Sequence, residues 1–146
     1  MQTQDMIKAT GALRLVLSKA DGTSEEFDFK NLVVTVGKEF VASRMVGTAS
    51  NVMSHMALGS GTTAPVAGNT TLGTELGRVA LAGAVAASNV VTYTATFSAG
   101  TATGAVTEAG IFNAASAGTM LCRTVFSVVN KGVDDALSVT WTITIS

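Results

Sequence analysis

Apolar and hydroxyl side chains alternate with a period of two along much of this chain, and that period belongs to strands rather than helices. Near the C-terminus Leu137, Val139, Trp141, Ile143 and Ile145 fall on one side, while Ser138, Thr140, Thr142 and Thr144 fall on the other. Val91, Tyr93, Ala95 and Phe97 alternate with Thr92, Thr94 and Thr96 in the same way. Each segment reads as a half-buried antiparallel strand. Leu13, Leu15 and Leu17 begin a third, Asp21-Gly22 supplies a turn, and Phe27 and Phe29 lie on a return strand reaching about Val36. Further strands are predicted at Met53 to Gly59, Arg78 to Ala86, Val106 to Phe112 and Met120 to Val128. The spacing of Phe40, Val41, Arg44 and Met45 predicts one short helix over Lys38 to Val46, ending at Gly47. The total is about eight strands, and no fixed-period repeat points to a solenoid. The expected fold is therefore an all-β sandwich, most simply a jelly roll, with one short helix.

A chain of 146 residues fits one domain. Residues 1–10 are polar and read as a flexible arm, leaving 11–146 for the sandwich. The opening MQTQDMIKAT has no basic segment leading into an apolar one, so no signal peptide is expected. The apolar stretch from Val79 to Ala87 is too short to cross a bilayer, so no membrane partner is expected.

Charge is scarce and uneven. Only 13% of residues are charged, against 47% hydrophobic, and the formal net charge is -1. Twelve of the nineteen charged residues precede Met45, and from there to Cys122 only Glu75, Arg78 and Glu108 are charged. Nucleic-acid binding is disfavoured, because it requires clustered Lys and Arg. A surface of Thr, Ser, Ala and Gly strands no ammonium or carboxylate when it leaves water. The pattern points to a subunit whose surface is committed to neighbours, with self-association as a dimer or trimer.

Two lone charges allow a register argument. Setting Phe112 opposite Thr119 places Glu108 opposite Arg123 and Val106 opposite Val125. A cross-strand ion pair of this kind contributes about 0.2–1 kcal/mol and opposes a one-residue slip.

Catalytic and cofactor chemistry find little support. Gly59-Ser60-Gly61-Thr62-Thr63-Ala64 matches the loose GxGxxA form of a dinucleotide fingerprint. That motif works at a helix N-terminus, whereas here Pro65 and Gly68 follow within a Gly/Thr-rich loop from Ser60 to Thr71. His55 is the only imidazole and lacks a local carboxylate, so it reads as a packed or interface residue. Cys122, the only cysteine, reads as a small buried hydrophobe. Met45, Met53 and Met56 are expected to fill the core beside the helix. Neither Glu25, Glu26 and Asp28 nor Asp134 and Asp135 have the spacing of a calcium loop. No catalytic residue, cofactor or metal is assigned. A carbohydrate-binding module would need exposed aromatics, yet Tyr93 and Trp141 alternate with threonine as core residues do.

Several stretches together carry a resemblance: "NLVVTVGKEFVASRM" (Asn31 to Met45), "ALGSGTTAP" (Ala57 to Pro65), "TTLGTELGRVAL" (Thr70 to Leu81), "VTYTATFSAGTATGAVTEAGIFNAASAGTMLCRTVF" (Val91 to Phe126) and "LSVTWTITI" (Leu137 to Ile145). The chain resembles the capsid cement or decoration proteins of podovirus-type tailed bacteriophages, from about residue 12 onward. Related wording also occurs in phage tail-fibre and tail-collar components. The resemblance implies a jelly-roll-like virion subunit, made in the bacterial cytoplasm, that binds the capsid exterior and bridges major capsid protein subunits. A tail-fibre or baseplate adaptor domain is the alternative. The partner surface is expected in the arm (Gln2, Thr3, Gln4 and Asp5) and in the loop (Ser60, Thr62, Thr63 and Pro65), since neither has an evident core role.

Overall fold

The computed structural model describes residues 6–48 and 51–146. Within them the chain forms β1 (Ala9–Ser18), β2 (Ser24–Val33), α1 (Thr35–Met45), β3 (His55–Gly59), β4 (Glu75–Ala80), β5 (Gly83–Ala87), β6 (Val90–Phe97), β7 (Gly104–Phe112), β8 (Met120–Lys131) and β9 (Ala136–Ile145). The strands make one curled antiparallel sheet in the order β4-β3-β7-β8-β2-β1-β9-β6-β5. The chain is all-β with one short helix, as the alternation predicts.

The sheet folds into two facing halves because β2 changes partner along its length. Gly11 to Ser18 of β1 pair with Asn31 to Ser24, and then Leu32 and Val33 turn to Arg123 and Cys122 of β8. On the far side β4 and β5 are nearly one strand, bent at Leu81-Ala82. The Leu81 N–H bonds to Ser54 O (2.9 Å) in one half, and the Ala82 N–H bonds to Thr94 O (2.8 Å) in the other. That bend divides the single predicted strand from Arg78 to Ala86, which is why nine strands form where about eight were expected. The pairs β1·β9, β2·β8 and β3·β7 nest inside one another, and the hairpins β1–β2 and β7–β8 pair directly between them.

The core lies between the halves. From one side come Leu13, Leu15, Phe97, Val139 and Trp141, and from the other Met56, Leu58, Ile111, Cys122 and Phe126. On the predicted inward faces Ala95, Phe97, Leu137, Val139, Trp141 and Ile143 are buried and Val91, Tyr93 and Ile145 half-buried, while Thr96, Ser138 and Thr140 are exposed.

Helix α1 starts at Thr35 rather than Lys38, and β2 stops at Val33 rather than Val36. The chain breaks there because Val34 is extended and gives its N–H to Leu121 O (3.2 Å), so the helix opens immediately after it. Of its residues only Gly37 is buried. Met45 is 78% exposed, correcting its expected core role, whereas Met53 and Met56 are buried. The helix presses on β8 through Gly37, and Phe40 is half-buried against the core, while Val41, Arg44 and Met45 are exposed, so the four do not define a covered face. No helix among the described residues is long and apolar enough to cross a membrane.

Candidate functional site

The most organised polar cluster surrounds Glu108 on β7 and Arg123 on β8, both essentially excluded from solvent. The predicted pair forms, with Arg123 Nη2 donating to Glu108 Oε2 at 2.8 Å and Nε at 3.1 Å. The predicted register does not. Glu108 stands opposite Val125 and Arg123 opposite Gly110, so the two charges meet diagonally. Irregularities between Ile111 and Phe112 and between Val106 and Glu108 displace β8 from simple pairing. Around Glu108 the displacement is two residues, which keeps both side chains on one face.

The remaining bonds of this pair reach the loop that connects β3 to β4. Glu108 Oε1 accepts the N–H groups of Gly61 (2.9 Å) and Thr74 (2.7 Å), and Oε2 accepts that of Gly73 (2.9 Å). Arg123 donates to Thr63 O and to Asn69 Oδ1, each at 3.0 Å. The Thr107 hydroxyl donates to Gly61 O (2.8 Å). Glycine is required here by close approach: a Cβ on Gly59 or Gly61 would sit 2.5 Å from Glu108 Oε1. Backbone N–H groups of Gly61, Gly73 and Thr74 therefore cradle an anion, which the sequence did not suggest, and that anion is the chain's own glutamate. No helix begins after the Gly-Ser-Gly segment.

This arrangement corrects the reasoning that the Ser60–Thr71 loop has no core role. The loop is anchored from beneath by a buried ion pair, and Leu72 just beyond it is buried. Its outer side remains available: Thr62 and Thr63 are exposed, and Ser60 and Pro65 are half-buried. Gln2, Thr3, Gln4 and Asp5 lie outside the described residues. The arm itself is shorter than predicted, because Ala9 and Thr10 belong to β1 and Lys8 exchanges two backbone hydrogen bonds with Ser146.

Burial pushes the Glu108 carboxyl upward, but the N–H groups of Thr74 and Gly73, the Arg123 guanidinium and the Gly61 N–H outweigh it and hold it below the ordinary value of 4.5. With the folded-state pKa below the unfolded one, its contribution to stability is complete above pH 4.5 and is lost as pH falls through the folded value. Urea denaturation at a series of pH values should thus show wild type well above Glu108→Gln at neutral pH. The gap should narrow once the pH drops below 4.5. A gap independent of pH would exclude the carboxylate as its source.

Sequence reasoning missed a second clamp. Arg78 on β4 lies 3.7 Å above the centre of the Phe112 ring, pairs with Glu75 (2.7 Å), and donates to Ala114 O (3.0 Å) and Ala117 O (2.8 Å). It ties the β7–β8 turn to β4. Lys131 is buried too, donating to Ser98 O at 3.0 Å. Hence each charged side chain between Met45 and Asp134 is engaged within the chain. Its isolation in a charge-poor stretch was the signal available for each.

The remaining candidates are structural. Cys122 is fully buried, and desolvation raises its thiol well above the ordinary range. His55 Nδ1 lies 2.8 Å from the hydroxyl of its neighbour Ser54. The exposed acids of β2 sit beside Arg14, which contacts Glu26 and lies 3.8 Å from Asp28. Among the described residues no group of three His, Cys, Asp or Glu side chains is placed to hold a metal. Trp141 is fully buried and Tyr93 is half-buried, so neither forms an exposed sugar platform. No protein-family model, curated protein or solved structure matches the chain.

Proposed function

We propose that this chain is a virion structural protein of a tailed bacteriophage that binds the outside of the capsid and bridges major capsid protein subunits. The observation that carries the proposal is a charge-poor exterior from Met45 to Cys122, where Glu108 is buried and the exposed Glu75 is paired with Arg78. On the outer face of β6 and β9, Thr92 stands opposite Thr142, Thr94 opposite Thr140 and Thr96 opposite Ser138. Such a face leaves water without stranding a charge, and its contacts depend little on ionic strength. The pinned loop presents Thr62 and Thr63 with little ordering entropy left to lose. Modest contacts of this kind become effective when a symmetric lattice repeats them. The resemblance of Ala57–Pro65 and Val91–Phe126 to phage cement proteins supplies the partner.

Copy number tests this reading. Quantitative mass spectrometry of purified virions should give a ratio to the major capsid protein near one or a simple fraction of it. Particles lacking the protein should lose their contents at lower temperature. A handful of copies per particle would place the protein in the tail, and unchanged heat resistance would remove the stabilising role.

A further inference from the structure

The two ends of the sheet are treated differently. At one end β4 is protected: it carries Glu75 and Arg78, its pairing with β3 is irregular at Leu58/Gly59, and Ala102 packs against Gly77 so closely that a Cβ there would lie 3.1 Å from Ala102 N. Charges, irregular pairing and covering segments are the usual means of keeping an edge strand from acquiring a partner. At the other end β5 has none of them. Its sequence is GAVAA, its pairing with β6 is regular from Gly83–Thr94 to Ala87–Val90, and Ala84, Val85, Ala86 and Ala87 are all exposed. Among the described residues β6 is its only neighbour in the sheet. No charged residue, histidine or proline occurs between Arg78 and Glu108.

We infer that β5 is a self-association edge, pairing antiparallel with β5 of a second copy to continue the sheet across a two-fold axis. An unpaired row of N–H and C=O groups is satisfied by another extended strand. The second copy is favoured by symmetry and by charge. A two-fold brings each residue near the axis against its own counterpart, so any charge there would meet a like charge. Centred on Val85, the pairing sets Val85 against Val85, Ala84 against Ala86 and Gly83 against Ala87, all small and neutral. Ala84 and Ala86 share the inward face of Tyr93 and Val91 yet are exposed, so the added strands also extend an apolar surface. Five residues a side make a small interface, below about 1,200 Å², so the isolated dimer should dissociate on dilution. The inference names the self-association surface that the capsid reading leaves open, and rests on that reading only for where the dimer acts.

Sedimentation velocity of the intact protein over a dilution series is the test. Wild type should pass from dimer to monomer. Val85→Lys should weaken the dimer at least about tenfold by opposing like charges. At dilutions where wild type is monomeric its unfolding temperature should match that of wild type, because Val85 is 63% exposed. As a second variant, Val85→Cys should oxidise to a covalent dimer, since directly opposed positions lie near disulfide distance. Thr142→Cys, two strands inward, should not, and the buried Cys122 contributes no background. A wild type that stays monomeric at high concentration overturns the inference. So does a dimer that survives Val85→Lys, or cross-linking equal at both positions. Particle binding separates the two readings: a dimer blocked by Val85→Lys that never binds capsids removes the capsid role and leaves the edge. Capsid binding by a protein that never dimerises does the reverse.

Discussion

Glu108→Ala is expected to lower the unfolding free energy by about 3–5 kcal/mol, a fall in Tm of about 10–20 °C for a chain of this length. The figure far exceeds the worth of a cross-strand pair because of what truncation leaves behind. The Arg123 guanidinium stays 2% exposed with its counter-charge gone, and the N–H groups of Gly61, Gly73 and Thr74 lose their acceptor. Gly61 is half-buried and Gly73 and Thr74 are exposed, so water replaces part of what those amides lose and the stranded guanidinium carries most of the cost. Urea denaturation measures the total, and hydrogen exchange localises it, since those three amides should lose protection before the core strands do. Replacing both partners, Glu108→Gln with Arg123→Met, should recover part of the loss by removing the stranded charge. A single-variant loss below about 1 kcal/mol, the scale of an exposed pair, would mean that the loop is held by something else.

Gly37→Ala sets two effects of opposite sign against each other. Helix propensity favours alanine by about 1 kcal/mol in a helix interior. Packing opposes it, because a Cβ on Gly37 would lie 2.1 Å from Leu121 O and 2.8 Å from Leu121 C. Those are backbone atoms of β8, and the same carbonyl accepts the Val34 N–H at 3.2 Å. Neither side can retreat without breaking that bond or lifting α1 from the sheet. Packing should win, with a net destabilisation of about 2–3 kcal/mol in urea denaturation. Ala42→Gly on the exposed side should cost about 1 kcal/mol from propensity alone. If Gly37→Ala is neutral or stabilising, the helix does not dock by this contact.

The strands were legible because burial on one face and hydration on the other write themselves into alternate residues, as in Leu137 to Ile145. The Glu108–Arg123 pair was legible for a related reason: two lone charges in a neutral stretch require each other. Their register was not, since the β7–β8 pairing is irregular between Val106 and Glu108 and between Ile111 and Phe112, with no turn dipeptide or proline to signal it. A shift of an even number of residues preserves the face, so the pair survived the error. The bend at Leu81-Ala82 carries no proline or turn dipeptide and reads as continuous strand. Gly59 to Gly61 read only as part of a loop, and its hold on Glu108 was not legible, because Gly61 and Glu108 are 47 positions apart. Met45 shows the limit of helical spacing, which marks a face without saying whether anything covers it.

The nested pairing has a consequence for how the chain is made. Ala9 pairs with Ile145 and Leu17 with Leu137, so the strand formed first has its second partner in the strand formed last. The β1–β2 hairpin can close early, since its contacts are local. Leu13, Leu15 and Leu17 nevertheless stay uncovered until Val139 and Trp141 arrive. Contacts so distant along the chain pay their loop-closure entropy before they yield stability, so slow folding is expected of this topology. During that interval the charges sit mostly ahead of Met45, and the β-prone stretch from there to Cys122 has few to keep copies apart. The scarcity of charge between Met45 and Cys122 thus leaves that stretch of the unfinished chain with little to oppose premature association.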